Sequence, residues 1–171
     1  MTHVLKRILA SGVDAALQKA DKYRELNQPG EAESICRDVL AVSPDHQLAL
    51  RILGLALTDQ FDASGARVVE AQQIFAALHD PYERAFYGGL ACERQAKAQL
   101  GARLPFYSVR PLFDQALAHY AEAETLRPSG NDDAILRWNS CVRTLQATPE
   151  FALPESEPRA DWDSDFVPRE R

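Results

Sequence analysis

No stretch of this sequence approaches the roughly 18–20 consecutive apolar residues of a membrane-spanning helix, so an integral membrane protein is not expected. An excess of positive charge is also missing. Nineteen Lys and Arg stand against 25 Asp and Glu, a net charge of −6. That balance gives no sequence-independent attraction to nucleic acid or to an anionic bilayer. Cysteine is scarce and odd in number: Cys36, Cys92 and Cys141 lie far apart. The pattern is one of reduced thiols in a cytoplasm, not of a disulfide framework. The first ten residues, Met1 to Ala10, are charged early and lack a continuous apolar stretch, so no signal peptide is expected.

Signs of catalysis are missing too. His3, His46, His79 and His119 do not have metal-ligand spacing, and no glycine-rich phosphate loop follows a strand. No catalytic residue, metal or cofactor is assigned, and the chain reads as non-enzymatic. Gly88-Gly89 falls within a helical pattern, where each Gly costs about 1 kcal/mol relative to Ala; close helix packing accounts for that pair. The three cysteines read as core thiols, and the scattered Asp and Glu as solvated helix faces.

What the sequence does contain is helical periodicity. Its 171 residues, 46% hydrophobic and 26% charged, suffice for one core. Ser11 is positioned to cap a helix to about Asn27, with Val13, Ala16, Leu17, Ala20 and Tyr23 recurring every three or four residues. Pro29 suits the first turn of a second helix, which buries Ala32, Ile35, Cys36, Val39 and Leu40. A third spans about 45–60, and a fourth about Ser64 to Leu78. Asp80-Pro81-Tyr82-Glu83 is a strong start signal for a fifth, running to about Leu100. Gly101 to Val109 reads as a loop, followed by helices over about Arg110–Leu126 and, capped by Asn131, to about Gln146. Seven helices joined by short turns leave little room for a sheet.

These helices come in pairs. Leu53-Gly54 and Gly88-Gly89 are 35 residues apart, and Pro44 and Pro81 are 37 apart, a period expected of stacked helix hairpins. The first pair carries Ala20, Tyr23, Ala32, Cys36, Val39 and Pro44. The second carries Leu50, Leu53, Gly54, Leu57, Ala71 and Phe75, and the third Gly89, Ala116, Tyr120, Ala123 and Pro128. In these positions the chain resembles the tetratricopeptide repeat family over roughly residues 11–147. The second pair holds extra residues around Phe61 to Gly65, and the third a larger insertion, about Ala96 to Arg110, as longer helices or as loops. The resemblance implies an all-α, right-handed α-solenoid of about three hairpins plus a C-terminal capping helix, over residues 1–148. An irregular helical bundle is the alternative.

In that family the first helix of each pair lines a concave groove that binds a protein or peptide. The matched positions here are Leu17, Asp21 and Arg24, then Arg51, Leu55 and Thr58. Phe86, Leu90 and Arg94 follow, then Ile135, Asn139 and Arg143. Four arginines among apolar anchors fit an acidic peptide, because guanidinium forks two bonds to one carboxylate; the other reading pairs each arginine with a neighbouring acid. The implied function is an adaptor or scaffold in a bacterial-type cytoplasm. The alternatives are a regulatory subunit of an enzyme or a chaperone for secreted proteins. Tyr82 to Cys92 is similar to the central repeat of type III secretion chaperones.

Residues 149–171 form a separate, proline-rich tail with seven acids against three arginines, net −4, and read as disordered. Within it, Asp161-Trp-Asp-Ser-Asp-Phe166 places Trp162 and Phe166 among acids, either as a solubilising tail or as a segment that covers the groove.

Overall fold

A computed structural model describes residues 2–62 and 64–148. The expected tail, with Trp162 and Phe166, lies outside the described residues. Among the described residues the protein is all-helical: α1 (Val13–Glu25), α2 (Pro29–Val42), α3 (Gln47–Thr58), α4 (Val68–Ala76), α5 (Pro81–Gly101), α6 (Phe106–Leu126) and α7 (Asp133–Ala147).

Most helix ends follow from local chemistry. Asn27, at φ 57°, ends α1 in the left-handed conformation that Asn tolerates. The next amide, Gln28 N–H, returns to the Tyr23 carbonyl at 2.8 Å. Pro29 opens α2 where its missing N–H has no helical partner. Asp80 Oδ1 accepts from Tyr82 N at 2.8 Å, with Pro81 in the first turn, as its sequence signal predicts. Asn131 Oδ1 accepts from Asp133 N at 2.9 Å ahead of α7.

Three boundaries differ from the sequence reading. Ser11 does not cap α1; it lies in a short 3-10 turn, Ala10–Gly12, and Gly12 occupies the cap position. α4 begins at Val68, not Ser64, because Asp62 Oδ1 accepts from Ser64 N at 2.9 Å and Oγ at 2.5 Å, folding that stretch into a turn. The expected loop from Gly101 to Val109 is mostly helix. Only residues 102–105 separate α5 from α6, each 21 residues long. Pro111 removes one N–H inside α6. The helix continues past it because Val109 and Phe113 are both fully buried.

Each helix packs on the next in sequence, and α1, α3, α5 and α7 also touch one another in succession. The even-numbered helices form no comparable row among the described residues. Two crossings set the spacing. A Cβ on Gly54 would lie 2.3 Å from Phe75 Cε1, and one on Gly89 would lie 2.8 Å from Tyr120 Cε1. Phe75 and Tyr120 are buried to 0% and 1% exposure, so neither ring has room to retreat. Ala20 and Ala32 provide the small surfaces of the first pair and are fully buried.

Between α2 and α4, charge supplies much of the connection. Glu33 accepts from Arg37 at 2.8 Å, Arg67 at 2.6 Å and Gln60 at 2.9 Å, while Arg37 also reaches Glu70 at 2.7 Å. Burial alone would raise the Glu33 pKa, but hydrogen bonds from Arg37 and Gln60 and the charges of Arg67 and Arg37 hold it below its ordinary 4.5.

Overpacking costs about 1–3 kcal/mol, so Gly54→Ala and Gly89→Ala are expected to lower the melting temperature. At about 2–4 °C per kcal/mol for a chain of this size the loss is several degrees. Gly30→Ala, with nothing within 4 Å of the added methyl, leaves the melt unchanged or raises it. A wild-type melt for Gly54→Ala would show that the crossing is looser than described. The Glu33 network generates a pH prediction. A folded-state pKa below the unfolded one adds stability that is present above about pH 4.5 and lost as pH falls through the folded value. Glu33→Gln is therefore less stable at neutral pH and loses less on acidification, as urea melts at stepped pH values would report. Equal slopes for both proteins would remove Glu33 from the acid response.

Candidate interaction face

The row α1, α3, α5, α7 brings together residues distant in sequence. Arg24 Nε donates to Asp59 Oδ2 at 2.8 Å. Arg94, on α5, donates to the same Asp59 carboxylate and to Thr58 Oγ1 at 2.6 Å. Asp59, just past the end of α3, therefore bridges α1 and α5, and each arginine is 35 residues from it. Beside this bridge, Arg51 Nη1 reaches Glu83 Oε1 at 2.7 Å, joining α3 to α5. Burial disfavours charge on Arg51, but the Glu83 bond and the surrounding negative groups outweigh it and raise its pKa. Asp21 lies 3.9 Å from Arg24 and is half-exposed.

Further along the row, Glu93 is buried to 1% exposure. Tyr120 donates to its Oε2 at 2.6 Å and Lys97 to its Oε1 at 2.5 Å, with Arg137 of α7 at 3.6 Å. Lys97 also reaches Ser140 Oγ at 3.4 Å, so the same cation touches α7. Burial and the Glu93 charge both push the Tyr120 phenol far upward, and it stays protonated as a donor. This carboxylate corrects the reading of every Asp and Glu as solvated surface. It is compensated on all sides, as a buried charge must be.

The sequence-predicted groove residues divide into three groups. Asp21, Arg24, Arg51, Leu55 and Arg94 belong to the connected row. Leu17 and Leu90 do not face outward; at 2% and 3% exposure they are core residues that no partner reaches in the folded chain. Thr58 is buried beneath Arg94. Phe86 is half-buried, stacked on Tyr82 with ring centroids 5.8 Å apart and edge-on to Tyr87 at 5.2 Å. Ile135 and Asn139 are half-buried on α7, and Arg143 is exposed with no acid partner among the described residues. Sequence reasoning missed Asp59, Glu83, Tyr87, Glu93 and Arg137. The signal for Asp59 was present: Arg24, Asp59 and Arg94 alternate in charge at the 35-residue period that the glycines also follow.

A separate cleft of about 330 Å³ opens between α4, α5 and α6, lined by Phe75, Ala76, Ala85, Gly88, His119 and Glu122. His119 fills the space above Gly88, with Cε1 3.3 Å from where a Cβ would stand. Among the described residues no group of His, Cys, Asp and Glu is arranged to hold a metal ion, and no helix is long and apolar enough to cross a membrane. Compared with known proteins, the chain matches no protein-family model and none of the curated proteins.

All three cysteines are buried and unpaired. Burial pushes the Cys36 and Cys141 thiols up to about 12, with Asp21 and Glu93 respectively adding to the rise, and it raises Cys92 as well. Thiolate is the reactive form. All three are therefore expected to resist an aromatic disulfide reagent at pH 8 in the native protein and to react together once urea unfolds it. Rapid labelling of a native thiol would show that the core opens at that helix.

Proposed function

We propose that this chain is a tetratricopeptide-like α-solenoid serving as a non-enzymatic adaptor, with α1, α3, α5 and α7 forming a concave partner-binding face. One observation carries the reading: the same contacts recur at the repeat interval. Arg24–Asp59 and Asp59–Arg94 are both separated by 35 residues, as are Gly54 and Gly89, each glycine set against an aromatic ring of the following helix. Recurrence of this kind supports stacked, equivalent hairpins, in which each unit contacts only its neighbours. An irregular bundle has no reason to set Arg24, Asp59 and Arg94 at the spacing of Gly54 and Gly89.

The charge pairing bears on the kind of partner. Three arginines of the face, Arg24, Arg51 and Arg94, are matched by Asp21, Asp59 and Glu83. An acidic peptide would have to displace Asp59 and Glu83 from guanidinium groups they already bond. The face better suits a peptide segment, such as one side of a helix, that places an apolar side chain near Leu55 and Tyr87 and hydrogen-bonds to the flanking charges.

The test is capture of partners from cell extract by cross-linking. Asp21→Lys with Leu55→Glu changes the inner row at an exposed acid and a half-buried leucine, and is expected to abolish specific capture while helicity is retained. Gln73→Lys with Glu124→Lys changes exposed positions on α4 and α6 and is expected to leave capture intact. The opposite result would place the partner on the other side of the molecule and overturn this reading.

A further inference from the structure

The end of the α5–α6 hairpin carries exposed groups that the inner row does not use. α5 and α6 each have 21 residues, whereas α4, which precedes α5, has only nine. Tyr107 is 71% exposed and Phe106 is 38% exposed, their rings edge-on with centroids 6.4 Å apart. Arg103, at φ 58° in the connecting turn, has no acid partner among the described residues. Arg110 is half-exposed and, among the described residues, pairs with the exposed Asp114, at 3.2 Å on its own helix. Aromatic rings flanked by arginines are the composition of energetic centres in protein interfaces.

The described residues also end here. α7 runs parallel to α5: Arg137 meets Glu93, and one turn later Ser140 meets Lys97, offsets of 44 and 43 residues. At that register the end of α7, Ala147, stands level with residues 103–104. Leu145 accordingly belongs to the same apolar cluster as Leu100, Leu104 and Leu112. Arg143, exposed and without an acid partner among the described residues, lies one turn before that end. The described residues thus end, at Thr148, at the same end of the fold as Arg103, Tyr107 and Arg110, and residues 149–171 carry net −4 with Trp162 and Phe166.

We propose that the acidic segment around Trp162 and Phe166 docks on the end of the α5–α6 hairpin of its own chain, covering Phe106 and Tyr107 and pairing with Arg103, Arg110 and Arg143. Fourteen residues separate Thr148 from Trp162, and a flexible chain of that length spans about 19–22 Å. The competing sites are poorer. The inner-row arginines Arg24, Arg51 and Arg94 are already bonded to carboxylates, and the α4–α6 cleft presents Glu122 to an acidic segment. This docking uses none of the ion-paired residues of the inner row. It makes the tail an intramolecular cover for a second interaction surface.

The sequence has two tryptophans, so Trp138→Phe in the full chain leaves Trp162 as the only reporter. Tethering gives an effective concentration near a millimolar, so even a millimolar contact is about half occupied. Acrylamide should then quench Trp162 about two-fold less than it quenches a free Asp161–Phe166 peptide. Adding Arg103→Glu, Arg143→Glu and Tyr107→Ser, all at exposed positions, should restore peptide-like quenching without changing the melting temperature. Peptide-like quenching before those changes overturns the proposal. So does protection that survives them but is lost with Asp21→Lys and Leu55→Glu, since the tail would then lie on the inner row. Protection lost on dilution overturns it as well, because the tail would then cover a second copy.

Discussion

Two glycine–aromatic crossings govern how closely the helices of this protein stack. At Gly54 and Gly89 the ring of Phe75 or Tyr120 rests where a side chain would otherwise begin. Removing the Cβ costs the helix about 1 kcal/mol of propensity at each site, and a fully buried aromatic ring returns more than that through the apolar surface it removes from water. Close approach of α3 to α4 and of α5 to α6 then brings the odd-numbered helices near enough to touch in succession. The ion pairs of the inner row depend on that proximity, because Asp59 can bridge Arg24 and Arg94 only when α1, α3 and α5 are side by side.

Charge plays a different part on each side of the molecule. Around Glu33, partly exposed groups connect helices that do not form a contiguous packed row, so their contribution is screened and pH-sensitive. Around Glu93 the carboxylate is buried, and one residue anchors three helices through Tyr120, Lys97 and Arg137. Such a group adds little net stability over an apolar one, but it is intolerant of losing a partner. It therefore constrains how α7 sits on α5 more than it strengthens the domain. The inner row lies between these extremes, with half-buried pairs that neutralise one another.

Helix number and type were legible from residue spacing alone, since apolar residues every three or four positions and Asp80-Pro81 or Pro29 at helix starts are local signals. The 35-residue recurrence of glycine was equally visible. Boundaries at residues 64–68 and 101–109 were misread for opposite reasons. Asp62 turned an apparently helical start into a turn through its own side chain, while burial of Val109 and Phe113 kept α6 helical across Pro111. Leu17 and Leu90 were assigned to the groove by their match to family positions, and a matched position does not say which side chains a neighbouring helix covers.

The sequence by itself determined an all-helical fold for the described residues, the small residues at its crossings and three thiols without disulfide partners. These depend on composition and on interactions within a few residues. Only the tertiary structure decided which charges meet. Arg24, Asp59 and Arg94 are spaced 35 residues apart along the chain, and Glu93 resembles any solvated acid until Tyr120 and Arg137 close over it. An ion pair across helices is a property of packing distance, and distance between helices is set by the side chains that lie between them, not by those that form the pair.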